Sequence, residues 1–72
     1  MRVLLTGSNG FLGQKFCERL SGYAEIKSLL GVSKSENRNP YLNEDTFQQL
    51  DLLDFEKLEQ TILAFKPTHI LH

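Results

Sequence analysis

The sequence is poor in the features that staple, export or anchor a small protein. It has one cysteine, Cys17, among 72 residues. One thiol cannot close an intrachain disulfide, and no Cys/His cluster marks a zinc site. A disulfide-rich secreted module and a zinc finger are therefore excluded, as is a two-domain enzyme of this length. An excess of either charge is missing too, since eight Lys+Arg oppose nine Asp+Glu for a net charge of -1. That balance removes the electrostatic footprint of a nucleic-acid binder. Long apolar runs are also absent. The start, Met1-Arg2-Val3-Leu4-Leu5-Thr6-Gly7, offers one base and three apolar residues, whereas a signal peptide needs about 7–15 and a membrane span about 18 or more. A cytoplasmic, soluble protein with no membrane partner is expected.

What is present is a 40% hydrophobic chain, too apolar and too evenly patterned for disorder. Its periodicity alternates between two kinds. Arg2–Thr6 carries the continuous Val3-Leu4-Leu5 run of a short strand buried on both faces. Leu12, Phe16 and Leu20 then recur every four residues beside Gly13 and Cys17, which predicts an amphipathic helix, with Gly22 at its C-terminal glycine position. Ile26–Val32 reads as a second strand and Phe47–Leu52 as a third. The polar stretch Ser33–Asp45, with Pro40 and its asparagines, reads as a loop within one domain. Asp54 is suited to cap a helix whose face carries Phe55, Leu58, Ile62 and Phe65, and Pro67 to end it. Thr68–His72 begins a fourth strand. Parallel strands need crossover connections. The expected fold is therefore α/β, the N-terminal half of a Rossmann-type doubly wound parallel sheet with strand order 3-2-1-4. The fourth strand then lies at an open edge, as if residues 1–72 were an incomplete dinucleotide-binding domain.

Chemistry concentrates in Thr6-Gly7-Ser8-Asn9-Gly10-Phe11-Leu12-Gly13. Gly7 allows a sharp turn out of the strand, Gly10 lets a pyrophosphate approach the backbone, and Gly13 lets the helix lie close to the sheet. The free amides near Phe11 and Leu12, with the positive end of the helix dipole, suit an anion. An ordinary glycine-rich turn without a ligand is the alternative, but the strand-turn-helix context favours the dinucleotide reading.

This Gly-x-x-Gly-x-x-Gly spacing resembles that of the extended short-chain dehydrogenase/reductase family, the nucleotide-sugar epimerases, dehydratases and reductases. Leu50-Asp51-Leu52-Leu53-Asp54 is similar to the family's third-strand segment. The resemblance implies that Asp51 meets the adenine and Leu52 packs on it. Lys66-Pro67-Thr68-His69-Ile70-Leu71-His72 looks like the family's fourth strand. The compact spacing and this last segment are most similar to the dTDP-4-dehydrorhamnose reductase branch. The resemblance implies an NAD(P)-dependent enzyme acting on a nucleotide-activated sugar. The resemblance places the catalytic Ser/Thr and Tyr-x-x-x-Lys downstream: Tyr41 has no lysine four residues on, and Tyr23 and Lys27, which do have that spacing, lie far ahead of the family's catalytic segment. Residues 1–72 alone are then expected to be inactive, and a homodimer is the expected assembly. A non-catalytic NADP-binding regulatory subunit of the same fold is the second reading, and a free-standing interaction module a third.

Cofactor choice rests on the end of the second strand. An acid there accepts hydrogen bonds from the ribose, whereas a base accommodates a 2′-phosphate. The chain has Ser33 and Lys34 at that point, with Arg38 within loop reach, which favours NADP over NAD. Glu36 reaching the ribose, or Lys34 and Arg38 serving only as solvated charges, are the alternatives. The expected cofactor-binding set is Gly7, Ser8, Asn9, Gly10, Phe11, Leu12, Ser33, Lys34, Arg38, Asp51 and Leu52. Cys17 reads as a buried, unreactive thiol. His69 and His72 read as neighbours on one side of the last strand, without a third ligand for a metal.

Overall fold

The computed structural model describes residues 1–20 and 28–72. Gly22, Tyr23 and the start of the second expected strand at Ile26 lie outside the described residues. The elements are β1 (Arg2–Thr6), α1 (Phe11–Leu20), β2 (Ser28–Ser33), β3 (Phe47–Gln49), α2 (Phe55–Phe65) and β4 (His69–Leu71). The four strands form one sheet in the order β3-β2-β1-β4. Every pairing is parallel, with Leu4 opposite Leu30 on one side and Ile70 on the other. The doubly wound half-sheet anticipated from the alternating periodicities is the fold observed.

Strand alternation divides the core into two layers. Leu4, Val32 and Leu50 pack with Leu58, Ile62 and Phe65 of α2. Leu5 packs on the opposite face with Cys17 of α1 and with Leu42. The two helices thus cover opposite faces of the sheet. Leu42 comes from the polar stretch after β2, where the sequence shows only a loop. That stretch is anchored at two buried residues, Asn39 at 2% and Leu42 at 7% exposed, and Leu42 lies over β2 where a crossover helix would otherwise sit. Gly31 makes room for it, because a Cβ there would run into Leu42 and Ser8.

Several expectations need correction. The third strand is shorter than Phe47–Leu52. The Leu50 N–H still donates to the Ser33 carbonyl at 2.8 Å, but the chain then turns. Asp51 Oδ1 accepts from the Leu53 N–H at 3.0 Å, a local side-chain bond that competes with the ladder. Leu12 is 80% exposed and Phe55 73% exposed, so neither is a core residue. Gly13 and Cys17 are the buried positions of α1. His69 and His72 do not share a side, because residues three apart in an extended chain face opposite ways, and His72 lies beyond the end of β4.

The ends of α2 are closed by the chain itself. Asp54 accepts from the Lys57 N–H at 3.2 Å, and Glu56 adds a carboxylate to the first turn. Lys66 ends the helix in the left-handed region at φ 55°, and Pro67 prevents continuation. Arg2 completes that end. Its Nε and Nη2 donate to the Phe65 carbonyl at 2.9 and 2.6 Å, and its guanidinium lies 4.4 Å from the centre of the Phe65 ring.

Candidate cofactor site

The glycine turn lies at the carboxyl end of β1, between the two strands that leave β1 in opposite directions in the sheet. Ligands of open α/β sheets bind at such a point. Gly7 adopts φ +64°, a conformation that disfavours side chains. A Cβ added to Gly7 would meet nothing within 4 Å, and one added to Gly10 would meet only the Gly7 carbonyl at 3.4 Å. Open space therefore borders the turn at both residues. Gly13 is different. A Cβ there would come within 2.5 Å of the Gly7 oxygen and 2.9 Å of Ser8 Cα, so its lack of a side chain allows α1 to meet the turn.

The N-terminus of α1 is open in a way that of α2 is not. Its first turn carries no acidic side chain. The Gly10 N–H is used internally, donating to the Gly7 carbonyl at 3.0 Å, and the Gly10 carbonyl accepts the first helical bond from Gln14 at 2.9 Å. The N–H groups of Phe11 and Leu12 precede that bond and lie outside the helical ladder. The positive end of the dipole is thus left to an external anion. Phe11 and Leu12 are both exposed around it.

Two hollows flank Gly7. One, of about 310 Å³, is lined by Gly7, Val32, Ser33, Lys34, Leu50, Asp51 and Leu52. The other, of about 410 Å³, is lined by Thr6, Gly7, Leu12, Gly13, Phe16, Leu71 and His72 among others. The first brings together Gly7, Ser33, Lys34, Asp51 and Leu52 from the expected cofactor-binding set. The second gives Leu12 its place, beside the turn rather than in the core. It also brings in Thr6, whose Oγ1 lies 2.7 Å from His72 Nδ1.

The remaining expected residues sit outside both linings. Ser8 is wholly buried, with its N–H donating to the Val32 carbonyl at 3.2 Å; it supports the turn from beneath. Asn9 and Arg38 meet each other, since Asn9 Oδ1 accepts from the Arg38 N–H at 2.7 Å. Lys34 and Arg38 are exposed and form no ion pair among the described residues. Asn39 is a support that carries no motif or periodicity by which to recognise it. It is buried, and its Nδ2 donates to the Ser8 carbonyl at 2.8 Å and to Cys17 Sγ at 3.4 Å. Burial pushes the Cys17 thiol above its ordinary pKa, and the Asn39 bond opposes part of that rise. No group of three potential metal ligands occurs among the described residues, and no helix among them is long and apolar enough to cross a membrane.

A glycine cradle, an open helix N-terminus and paired hollows at the sheet's switch point fit a dinucleotide. The NAD dependent epimerase/dehydratase family matches residues 3–72, nearly the whole sequence. The chain belongs to this family. Its members' nicotinamide cofactor suits the site just described. Among solved structures, L-threonine 3-dehydrogenase from Trypanosoma brucei superposes with a TM-score of 0.77 at 26% identity. L-threonine dehydrogenase from Clostridium difficile gives the same TM-score at 22% identity, a level that speaks for the fold alone. Each comparison covers 96% of this chain but 22% of the other, so the chain spans about a fifth of the length of these two dehydrogenases. Among curated protein sequences, none matches the chain.

Proposed function

We propose that residues 1–72 form the cofactor-binding part of an NADP(H)-dependent oxidoreductase that acts on a nucleotide-activated sugar, of the dTDP-4-dehydrorhamnose reductase kind. The observation carrying the cofactor half is the 310 Å³ hollow at the end of β2. Its lining offers Ser33 and Lys34 where an NAD-selective site would offer an acid. Asp51 lies on the far side of that hollow, with one carboxylate oxygen committed to the Leu53 N–H. In this reading the pyrophosphate lies over Gly7 and Gly10 and faces the first turn of α1. The adenosine end occupies the hollow between Lys34 and Leu52. The other end of the dinucleotide extends past Thr6 toward Leu71 and His72. The bound cofactor would supply hydride chemistry. The residues described here bind and orient it.

The substrate half rests on the likeness of the Lys66–His72 segment to the nucleotide-sugar reductases. The structural neighbour at 26% identity, an L-threonine 3-dehydrogenase, favours a second reading, an NAD-dependent dehydrogenase of a small hydroxy-amino acid. Titrating the full-length protein with NADPH and NADH separates the cofactor readings. Tighter NADPH binding, reduced about tenfold by Lys34→Ala through the loss of one charge-assisted contact, is expected. Equal or tighter NADH binding overturns the NADP preference. Turnover of dTDP-4-dehydrorhamnose against L-threonine then decides the substrate class.

A further inference from the structure

The turn and the segment after β2 hold each other by exchanged asparagines. From the turn, the Asn9 carboxamide reaches outward. Its Nδ2 donates to the Glu36 carbonyl at 2.7 Å and to Ser35 Oγ at 3.2 Å, while its Oδ1 accepts from the Arg38 N–H at 2.7 Å. A carbonyl and an N–H two residues apart are the pair that a neighbouring strand would satisfy, and the side-chain amide fills that role with one donor and one acceptor. From the segment, Asn39 reaches back under the turn to the Ser8 carbonyl at 2.8 Å. Because the peptide is planar and trans, a Ser8 carbonyl drawn inward sends the Asn9 N–H the opposite way. Gln14 Nε2 fixes the next carbonyl, that of Asn9, at 2.9 Å.

We infer that Asn9 is a positioning residue for cofactor specificity: its side chain fixes the backbone of residues 35–38, so that the exposed Lys34 and Arg38 are presented at the 2′-position of the bound adenosine. This rests on the NADP reading above, in which those two bases meet a 2′-phosphate. The clasp makes the turn that takes the pyrophosphate and the segment that senses the phosphate a single unit. A ligand group on one is thereby placed at a set distance from the other. Asn9 itself contributes no charge; it acts through Arg38 and Lys34.

The test uses the full-length protein with Asn9→Ala and Arg38→Ala, with ADP-ribose and 2′-phospho-ADP-ribose as probes. In Asn9→Ala, hydrogen exchange at the Arg38 amide is expected to accelerate about tenfold, since its acceptor is gone. Affinity for 2′-phospho-ADP-ribose is expected to fall about tenfold, while that for ADP-ribose changes less than about threefold. Unchanged exchange at Arg38 overturns the positioning role, whatever the cofactor preference. Equal losses for both probes also overturn it, because Asn9 would then act on the turn alone. If the wild-type protein does not prefer the 2′-phosphate and Arg38→Ala leaves both affinities unaltered, the NADP reading falls, and the specificity role of Asn9 falls with it. The exchange result then reports whether the clasp exists. Asn9→Ser serves in the same measurements should Asn9→Ala fail to fold.

Discussion

At the scale of single residues, the sequence shows which groups have chemistry but not which of them are already committed to a partner. Cys17 and Asn39 illustrate this. The helical spacing beside Gly13 identifies Cys17 as a buried thiol, and it is 1% exposed. Nothing in Ser-Glu-Asn-Arg-Asn-Pro marks Asn39 as the residue whose amide lies against that sulfur. Burial of the thiol sets a pH dependence, which the Asn39 contact partly offsets. Burial raises the Cys17 pKa in the folded state, so the folded protein holds the thiol proton more tightly than the unfolded chain does. This group's contribution to stability is complete below the unfolded thiol pKa of about 8.5 and is lost as pH rises through the higher folded value. Cys17→Ser keeps an acceptor for Asn39 but does not titrate. Urea unfolding at a series of pH values is expected to show the wild type losing more stability than Cys17→Ser above about pH 8.5. Parallel curves would mean that the thiol is not protected by burial.

At the scale of elements, period and punctuation carried most of the information. The buried Val3-Leu4-Leu5 run, the four-residue recurrence along α1 and the Asp54–Pro67 bracket each define an element that the structure contains. What they leave illegible depends on partners far along the chain. Arg2 reads as an N-terminal base, yet it donates two hydrogen bonds to the Phe65 carbonyl and one to Ser28 Oγ. A cation at a helix C-terminus also opposes the negative end of the dipole. Local pattern cannot predict that link, because the helix it caps lies at the other end of the chain. Charged hydrogen bonds of this sort contribute about 1.5–3 kcal/mol each when buried and less when half exposed. Arg2→Ala is therefore expected to destabilise the protein by about 1–2 kcal/mol. Arg2→Lys is expected to recover only a minor part, because an ammonium lacks the planar fork. Chemical denaturation of the three proteins measures both effects. A fully restored Lys variant would reduce the role of Arg2 to charge alone.

At the scale of the whole molecule, the parallel sheet gathers the hollows of the candidate site at the carboxyl ends of its four strands. Folding and cofactor binding therefore share the glycine turn without making the same demands on it. Gly13 belongs to folding, since a methyl there would press on the backbone of Gly7 and Ser8 at 2.5–3.0 Å, and backbone has no rotamer by which to yield. On the proposed cofactor placement Gly10 belongs to binding: its added methyl meets the protein only at 3.4 Å and otherwise occupies the space proposed for the pyrophosphate. Binding to the folded state alone stabilises it by about 2.7 kcal/mol when the ligand stands at a hundred times its Kd. Thermal or urea unfolding of the full-length protein, with and without NADPH at that excess, should show this gain in the wild type. Gly10→Ala is expected to match the wild type within about 0.5 kcal/mol without ligand and to lose most of the gain with ligand. Gly13→Ala is expected to be destabilised by at least about 2 kcal/mol before any ligand is added. If Gly10→Ala keeps the full ligand-dependent gain, the pyrophosphate does not lie over Gly10, and the assignment of the turn as its cradle fails.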